Sequence, residues 1–116
     1  MEPKLKPVDL FYEEVGQGTP LILIHGYPMD HTVWQPILPG LRKCARVITP
    51  DLRGFGKSPV TSGTYSMRIM AEDILRLMDR LKIEKAVLVG HSMGGYIALA
   101  FAHAYPGRLS GLGLVA

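Results

Sequence analysis

The sequence predicts an α/β domain with a mostly parallel sheet and flanking helices. Short runs of apolar, β-branched residues alternate along the chain with helical segments, which is the arrangement of βαβ units. Several of these runs are continuously apolar, as in strands that are covered on both faces. The chain has 116 residues, a length that fits one domain, so residues 1–116 are expected to form a single one.

The first half of the chain contains three predicted strands, at residues 10–15, 21–25 and 45–49. The second of them, Leu-Ile-Leu-Ile-His, is the clearest candidate for burial on both faces. A helix is expected over about residues 32–42, and two prolines inside it should make it short or irregular. Residues 51–63 hold three glycines and one proline, so they are predicted to form a loop.

The clearest helix is predicted over residues 66–82, where Ser66 can cap the N-terminus. Its apolar side chains at helical spacing form a stripe that should face the core: Met67, Met70, Ile74, Leu77, Met78 and Leu81. Its charged side chains are expected to point away from the core: Glu72, Asp73, Arg76, Asp79 and Arg80.

Three further elements complete the prediction. A strand covers residues 86–90, and a helix runs from residue 93 to about residue 105, where Pro106 and Gly107 stop it. Residues 109–116 are predicted to form the last strand.

Residues 90–95, Gly-His-Ser-Met-Gly-Gly, match the G-x-S-x-G nucleophile elbow between a predicted strand and a predicted helix. A serine hydroxyl becomes a useful nucleophile when it is exposed and held against a base, and the sharp turn places Ser92 above the sheet edge. Gly90 and Gly94 lack side chains, so strand and helix can approach closely around the turn. The helix that starts at Met93 directs free N–H groups towards an oxyanion formed beside Ser92.

Two other segments accompany the elbow: residues 25–28, His-Gly-Tyr-Pro, and residues 51–58, Asp-Leu-Arg-Gly-Phe-Gly-Lys-Ser. Together, and in this order, the three motifs resemble the α/β-hydrolase superfamily, most closely its cofactor-independent bacterial esterases, lactonases and C–C bond hydrolases. The resemblance covers essentially the whole chain. It implies the N-terminal part of that fold, truncated before the strands that carry the catalytic Asp and His, so that residues 1–116 form a partial domain.

The resemblance implies roles for particular residues. Ser92 would attack the carbonyl carbon of a small-molecule carboxylic ester, thioester or lactone. The backbone N–H groups of Tyr27 and Met93 would form the oxyanion hole. Asp51 and Arg53 would be a packing and turn pair. Serine in place of aspartate as nucleophile argues against epoxide hydrolases and haloalkane dehalogenases of the same superfamily.

The general base is not evident in the sequence. The triad order is Ser, then Asp or Glu, then His, and residues 107–116 contain none of these partners. His91 is expected to support the site, and His25 to order the loop that follows it by hydrogen bonds. His31 and His103 are expected at helix surfaces. Because loss of the triad histidine costs several orders of magnitude in kcat, very weak or absent turnover is expected of the 116 residues alone.

Composition argues against a nucleic-acid site, a membrane span and a secretory signal. The formal net charge is +3 and the basic residues are scattered, which is typical of a solvated surface and not of a nucleic-acid site. No apolar run approaches the roughly 20 residues of a membrane helix, and the first residues lack the apolar core of a signal peptide. With a single cysteine, these features favour a cytoplasmic protein. No phosphate-binding glycine loop or Cys/His cluster is found, so neither a cofactor nor a metal is predicted.

Two alternatives remain open. In one, the chain is a non-catalytic, half-size fold that acts as an oligomerising module, and Ser92 is a relic. In the other, the same site carries a cofactor-free perhydrolase activity. In either case the strand at residues 109–116 is expected to be an edge strand that pairs with another chain, in a two-fold homo-oligomer or with a complementing C-terminal fragment.

Overall fold

The predicted strands and helices form close to their expected positions in the computed structural model, which describes residues 6–116. The strands are β1 (Tyr12–Val15), β2 (Thr19–Ile24), β3 (Ala45–Pro50), β4 (Ala86–His91) and β5 (Leu109–Val115). The α-helices are α1 (Leu38–Leu41), α2 (Met67–Arg80) and α3 (Met93–Ala104). Two 3-10 helices accompany them, at His31–Ile37 and Pro106–Arg108.

The strands form one sheet in the order β1-β3-β2-β4-β5. Only β1 runs antiparallel to its neighbour, β3, whereas β3, β2, β4 and β5 are parallel to one another. In the centre of the sheet, Ile22 lies beside Ile48 on one side and Leu88 on the other. The predicted fold class, an α/β domain with a mostly parallel sheet, is therefore confirmed.

Both faces of β2 are covered, as its continuous apolar run predicts. Ile22 and Ile24 belong to the larger hydrophobic cluster, which also contains the buried apolar side chains of α2 and α3. Leu23 points to the opposite face and packs in a second cluster with Trp34 from the first 3-10 helix. Since successive side chains of a strand alternate between faces, one short strand serves both layers.

The helix predicted over residues 32–42 is short and irregular, as its prolines require. The segment begins as a 3-10 helix that contains Pro36, and continues as the single α-helical turn of α1, with Pro39 in its first turn. The side chain of Asp30 caps the 3-10 helix by accepting a hydrogen bond from the Thr32 N–H at 2.8 Å.

The N-cap and the apolar stripe predicted for helix α2 are confirmed, and one of its charged residues differs from the prediction. The Ser66 hydroxyl accepts a hydrogen bond from the Ile69 N–H at 3.1 Å. Asp73, expected to point away from the core, is only 4% exposed, so that expectation is wrong. It lies three residues after Met70 and four before Leu77, and this spacing places it on the buried side of the helix.

Strand β5 forms one edge of the sheet. It pairs with β4 alone among residues 6–116, and Leu112, Leu114 and Val115 are exposed. None of the helices described over these residues has both the length and the apolar character needed to cross a membrane.

Candidate active site

The three sequence motifs meet at one edge of the sheet. Residues 25–28 follow β2, residues 51–58 follow β3, and Ser92 follows β4. These strands are parallel and adjacent, so their carboxyl ends lie side by side. The connection that follows β2 packs on one face of the sheet and the helix that follows β4 on the other. A ligand crevice in an open parallel sheet forms at such a change of side.

Ser92 has the unfavourable backbone conformation expected of an elbow. Its φ is 55° and its ψ is −117°, a combination outside the regions that L-residues normally occupy. The two flanking glycines are required by close backbone approaches. A Cβ at Gly90 would lie 2.1 Å from the Gly94 carbonyl oxygen, and a Cβ at Gly94 would lie 2.2 Å from the Ile24 carbonyl oxygen. The turn from β4 into α3 is therefore as sharp as its sequence predicts.

Ser92 is exposed, and its hydroxyl has no hydrogen-bond partner among residues 6–116. It is the N-cap residue of α3, yet its hydroxyl makes no capping hydrogen bond. Among residues 6–116 it makes no side-chain hydrogen bond at all. The backbone N–H of Ser92 donates to the Val115 carbonyl of β5 at 3.0 Å. Strand β5 thus fixes the backbone of this residue, a contact that sequence reasoning did not anticipate.

The loop after β2 approaches Ser92 closely. A Cβ at Gly26 would lie 3.1 Å from the Ser92 Cβ and 2.9 Å from the His91 carbonyl oxygen, so only glycine fits there without a shift. Within the described chain the next N–H, that of Tyr27, has no hydrogen-bond acceptor. Met93 is the first residue of α3, where an N–H has no acceptor inside its own helix.

His25 ties the loop after β2 to the loop after β3, in agreement with its expected role. Its Nε2 accepts a hydrogen bond from the Leu52 N–H at 3.0 Å, so Nδ1 carries the proton and donates to the Gly26 carbonyl at 2.9 Å. Burial lowers the pKa of His25 below its ordinary value of 6.5, while the Gly26 carbonyl and the Asp51 carboxylate oppose this shift. The neutral ring is therefore the form that the structure holds.

Asp51 is a buried hydrogen-bond acceptor that orders the same region. Its Oδ1 accepts from the His31 N–H and contacts the His31 Nδ1, both at 2.7 Å. Its Oδ2 accepts from the Lys57 N–H at 2.9 Å. His31 is only 6% exposed, so its expected place at a helix surface is wrong, because this carboxylate holds the ring inside. His103 is exposed, as expected.

Arg53 has a different partner from the one expected. Its guanidinium makes a bidentate pair with Asp73 of α2, at 2.8 and 2.7 Å, and not a pair with Asp51. Burial raises the pKa of the Asp73 carboxyl, and the hydrogen bonds from Arg53 oppose that shift. The packing role expected of Arg53 is observed, but the pairing joins the loop after β3 to α2.

Asp30, His31 and Asp51 also lie close enough together to resemble a set of metal ligands, since one atom from each falls within 4.8 Å of the others. Hydrogen bonds already account for this cluster. The Asp51 Oδ1 contacts His31, and the Asp30 Oδ1 accepts from Thr32. We therefore assign it a structural role in holding the start of the 3-10 helix.

None of the four histidines forms a hydrogen bond with the Ser92 hydroxyl among residues 6–116. His25 and His31 use their rings to bind the loops, and His103 lies on the exposed side of α3. The His91 ring packs against Trp34, with ring centroids 6.4 Å apart. A shallow surface depression of about 560 Å³ lies elsewhere, on the charged outer side of α2, and includes no predicted site residue.

Comparison with known proteins decides the family. A family profile described as "alpha/beta hydrolase fold" matches residues 19–116. The chain belongs to this alpha/beta hydrolase family. The sharp turn at Ser92 and the loop at Gly26 are thus features of an alpha/beta hydrolase domain, which confirms the resemblance seen in the sequence motifs.

Individual relatives extend this result. A thermophilic esterase from Thermogutta terrifontis superposes with a TM-score of 0.90 at 47% identity, over 92% of this chain and 40% of that one. A soluble epoxide hydrolase from a Corynebacterium species is 37% identical over 81% of this chain and 33% of its own length. A putative non-heme chloroperoxidase from a Synechocystis species is 43% identical over 75% of this chain and 32% of its own length. This alpha/beta hydrolase chain thus spans about a third to two fifths of these relatives.

Proposed function

We propose that the chain forms the nucleophile-bearing part of a serine hydrolase that acts on a small-molecule carboxylic ester, thioester or lactone. The observation that carries this proposal is the conformation of Ser92. Its positive φ keeps the hydroxyl away from capping α3, exposes it, and leaves it beside Gly26 at the carboxyl edge of the sheet. A structural serine at a helix N-terminus would instead cap the helix.

The proposed reaction is acyl transfer. The Ser92 Oγ attacks the carbonyl carbon, the carbonyl electron pair moves onto oxygen, and the N–H groups of Tyr27 and Met93 hold that oxyanion. The bond to the leaving alcohol, thiol or ring oxygen then breaks, which gives an acyl-enzyme that water hydrolyses. A general base must take the Ser92 proton and return it to the leaving group. The unbonded Tyr27 N–H and the helix-terminal Met93 N–H support this assignment.

The missing base sets the expected activity. The histidines at positions 25 and 31 are engaged elsewhere, so we propose very weak or absent turnover for the 116 residues alone. The likeness to a thermophilic esterase supports ester hydrolysis as the reaction. The likeness to an epoxide hydrolase does not favour epoxide opening, because the elbow carries a serine where that chemistry uses a carboxylate.

The test combines a covalent probe with a chromogenic substrate. A fluorophosphonate should label Ser92 slowly, and mass spectrometry of the digested protein should locate the adduct there. Hydrolysis of a short-chain p-nitrophenyl ester should be barely above background and should fall to background in Ser92→Ala. Ser62→Ala changes another exposed serine and serves as the matched control.

An adduct distributed over several exposed serines contradicts the proposed nucleophile, because it shows that Ser92 has no special reactivity. Vigorous hydrolysis that Ser92→Ala abolishes agrees with Ser92 as nucleophile and contradicts only the expected weak turnover, because it shows that a base is present within these residues.

A second candidate function, an oligomerising module, is favoured by β5. Its outer edge has no strand partner among residues 6–116, and Leu112 and Leu114 are 42% and 55% exposed. An unpaired edge flanked by apolar side chains favours pairing with another strand. We propose a two-fold dimer through antiparallel β5 pairing, with a complementing C-terminal fragment as the other possible partner. Association that is unchanged in Ser92→Ala would separate this function from catalysis.

A further inference from the structure

The ring of Phe55, in the loop after β3, packs against the loop after β2. Its centroid lies 5.5 Å from the His25 ring centroid and 5.8 Å from the Tyr27 ring centroid, with interplanar angles of 74° and 86°. Both separations are typical of edge-to-face contacts, in which the positive edge of one ring meets the negative face of the other. One side chain therefore contacts both neighbours of Gly26 in the loop after β2.

Phe55 is itself firmly held in the loop after β3. Its N–H donates to the Leu52 carbonyl at 2.9 Å, and its carbonyl accepts from the Ser58 N–H at 3.0 Å. The side chain is half-buried and packs against the larger hydrophobic cluster. A ring that is fixed by its own backbone and packing can serve as a support for a neighbouring site residue.

Tyr27 has few other contacts that could fix its position. It is 68% exposed, and neither its N–H nor its phenol makes a hydrogen bond with residues 6–116. Within this part of the chain, its one aromatic contact is with Phe55. The preceding residue, Gly26, lies so close to Ser92 that a Cβ there would be 3.1 Å from the Ser92 Cβ. The contact with Phe55 is thus placed to control where the Tyr27 N–H lies relative to Ser92.

We propose that Phe55 is a positioning residue for the oxyanion hole: its ring packs against His25 and Tyr27 and thereby fixes the Tyr27 N–H beside Ser92. This inference rests on the proposed function for the role of that N–H in binding the oxyanion. A donor held in place before the reaction stabilises the oxyanion without reorganisation in the transition state. Phe55 acts through Tyr27 and not on the substrate.

Amide hydrogen exchange tests the effect of Phe55 on the loop after β2. Phe55→Leu keeps a bulky apolar side chain and removes the ring. The Met29 N–H reports on the loop, because it donates to the Gly26 carbonyl at 2.9 Å. Its exchange should accelerate about two- to tenfold, as expected for the loss of an aromatic contact. Phe11→Leu is the matched control, because Phe11 is also half-buried but packs on the His31 ring, outside this loop.

A conservative variant and two core amides separate positioning from general loss of stability. Phe55→Tyr retains the ring, so exchange at Met29 should stay as slow as in the unmodified chain. Exchange at Ile22 and Leu88, in the centre of the sheet, should be the same in every variant. Equal acceleration at these core amides in Phe55→Leu, or unchanged exchange at Met29, overturns the proposal.

A measurement on the unmodified chain decides the contact even where Phe55→Leu fails to fold. Nuclear Overhauser effects should connect the ring protons of Phe55 with the ring protons of both His25 and Tyr27. The absence of either set overturns the proposal, because the ring would then not bridge the two neighbours of Gly26.

Fluorophosphonate labelling distinguishes this proposal from the proposed function. Phe55→Leu should lower the labelling rate constant of Ser92 at saturating probe about two- to tenfold, because the phosphonyl oxygen occupies the oxyanion hole. The probe concentration that gives half of the maximal rate should change little, and Phe11→Leu should change neither quantity. Unchanged labelling in Phe55→Leu overturns the link between Phe55 and the oxyanion donor. No labelling of Ser92 in the unmodified chain contradicts the proposed function instead, and the exchange and Overhauser data then decide whether Phe55 positions the loop.

Discussion

Ser92 holds a backbone conformation that costs about 1–3 kcal/mol in an ordinary residue. Two backbone hydrogen bonds maintain it: the Ser92 N–H donates to the Val115 carbonyl, and the Gly95 N–H donates to the Ser92 carbonyl, at 3.0 and 2.9 Å. The same conformation prevents the hydroxyl from capping α3. The packing of β4, α3 and β5 therefore offsets the strain at Ser92. The strained conformation leaves the Ser92 hydroxyl free of a capping hydrogen bond.

The lowered pKa of His25 predicts that the free energy of unfolding depends on pH. Its pKa in the folded protein lies below the ordinary value of 6.5, because burial disfavours the charged ring. As the pH falls through 6.5, the unfolded chain takes up a proton before the folded chain does, so the free energy of unfolding decreases. Above that pH both states are neutral and the full stability is present. Urea unfolding at a series of pH values should show this loss on the acid side.

The substitution His25→Gln isolates this effect, because glutamine does not titrate. The variant should be less stable at neutral pH, since it loses the ring that joins the Leu52 N–H to the Gly26 carbonyl, but its stability should fall less between neutral and mildly acid pH. The matched control is His103→Gln, which changes an exposed histidine. Equal acid sensitivity in His25→Gln and in the unmodified chain would show that His25 is not the source of the stability lost at acid pH.

At the scale of elements, the long connection from β3 to α2 has no helix or strand of its own, yet its first part is well anchored. Asp51 accepts hydrogen bonds from residues on both sides, and the Ser58 hydroxyl donates to the Asp51 carbonyl at 2.5 Å. Arg53 reaches across to Asp73 and also donates to the Thr61 hydroxyl at 3.3 Å. These contacts fix the loop that supports the Gly26 side of the site.

The Arg53–Asp73 pair predicts a large stability effect. Asp73→Asn keeps the side-chain shape but leaves the buried guanidinium without a countercharge, which should destabilise the fold by about 3–5 kcal/mol. The neighbouring Glu72→Gln is the control, because Glu72 is exposed and its 3.7 Å pair with Arg68 should contribute less than about 1 kcal/mol. Urea unfolding measures both. Similar free energies of unfolding for the two variants would show that the buried pair is not a stabilising link.

At the scale of the whole molecule, the two edge strands of the sheet, β1 and β5, differ in length, charge and apolar exposure. On one side, β1 closes the sheet as a short antiparallel strand with charged Glu13 and Glu14, features that discourage further pairing. On the other side, β5 presents Leu112, Leu114 and Val115, and the neighbouring helix α3 exposes Tyr96 at 68%. Among residues 6–116, five exposed large apolar side chains therefore lie on β5 and α3, and none lies on β1.

This asymmetry predicts self-association of the 116-residue chain through β5. Light scattering at micromolar concentration should give a dimer. The double variant Leu112→Lys/Leu114→Lys should shift it towards monomer, because buried lysines oppose edge pairing. Val60→Lys changes an apolar residue that is 78% exposed in a loop, and should leave the dimer intact. A monomer at all concentrations, or a dimer that is insensitive to the β5 variant, contradicts this interface.

The sequence by itself determined the features that depend on neighbours along the chain. The alternation of strands and helices, the irregular helix around Pro36 and Pro39, and the cap at Ser66 all follow from local periodicity and local backbone chemistry. The sharp turn at Ser92 was also predictable, because closely spaced glycines on a strand-to-helix turn have few other uses. These preferences act over a few residues, so a linear sequence contains them.

Only the tertiary structure decided which distant groups meet. The order of the strands, the burial of His31 by Asp51 and the pairing of Arg53 with Asp73 each join residues about 20 or more positions apart. The contact of Trp34 with His91 spans a still longer stretch of chain. A charge or a ring is buried only when the fold supplies its partner, and the free energy of that pairing depends on geometry that no local pattern encodes.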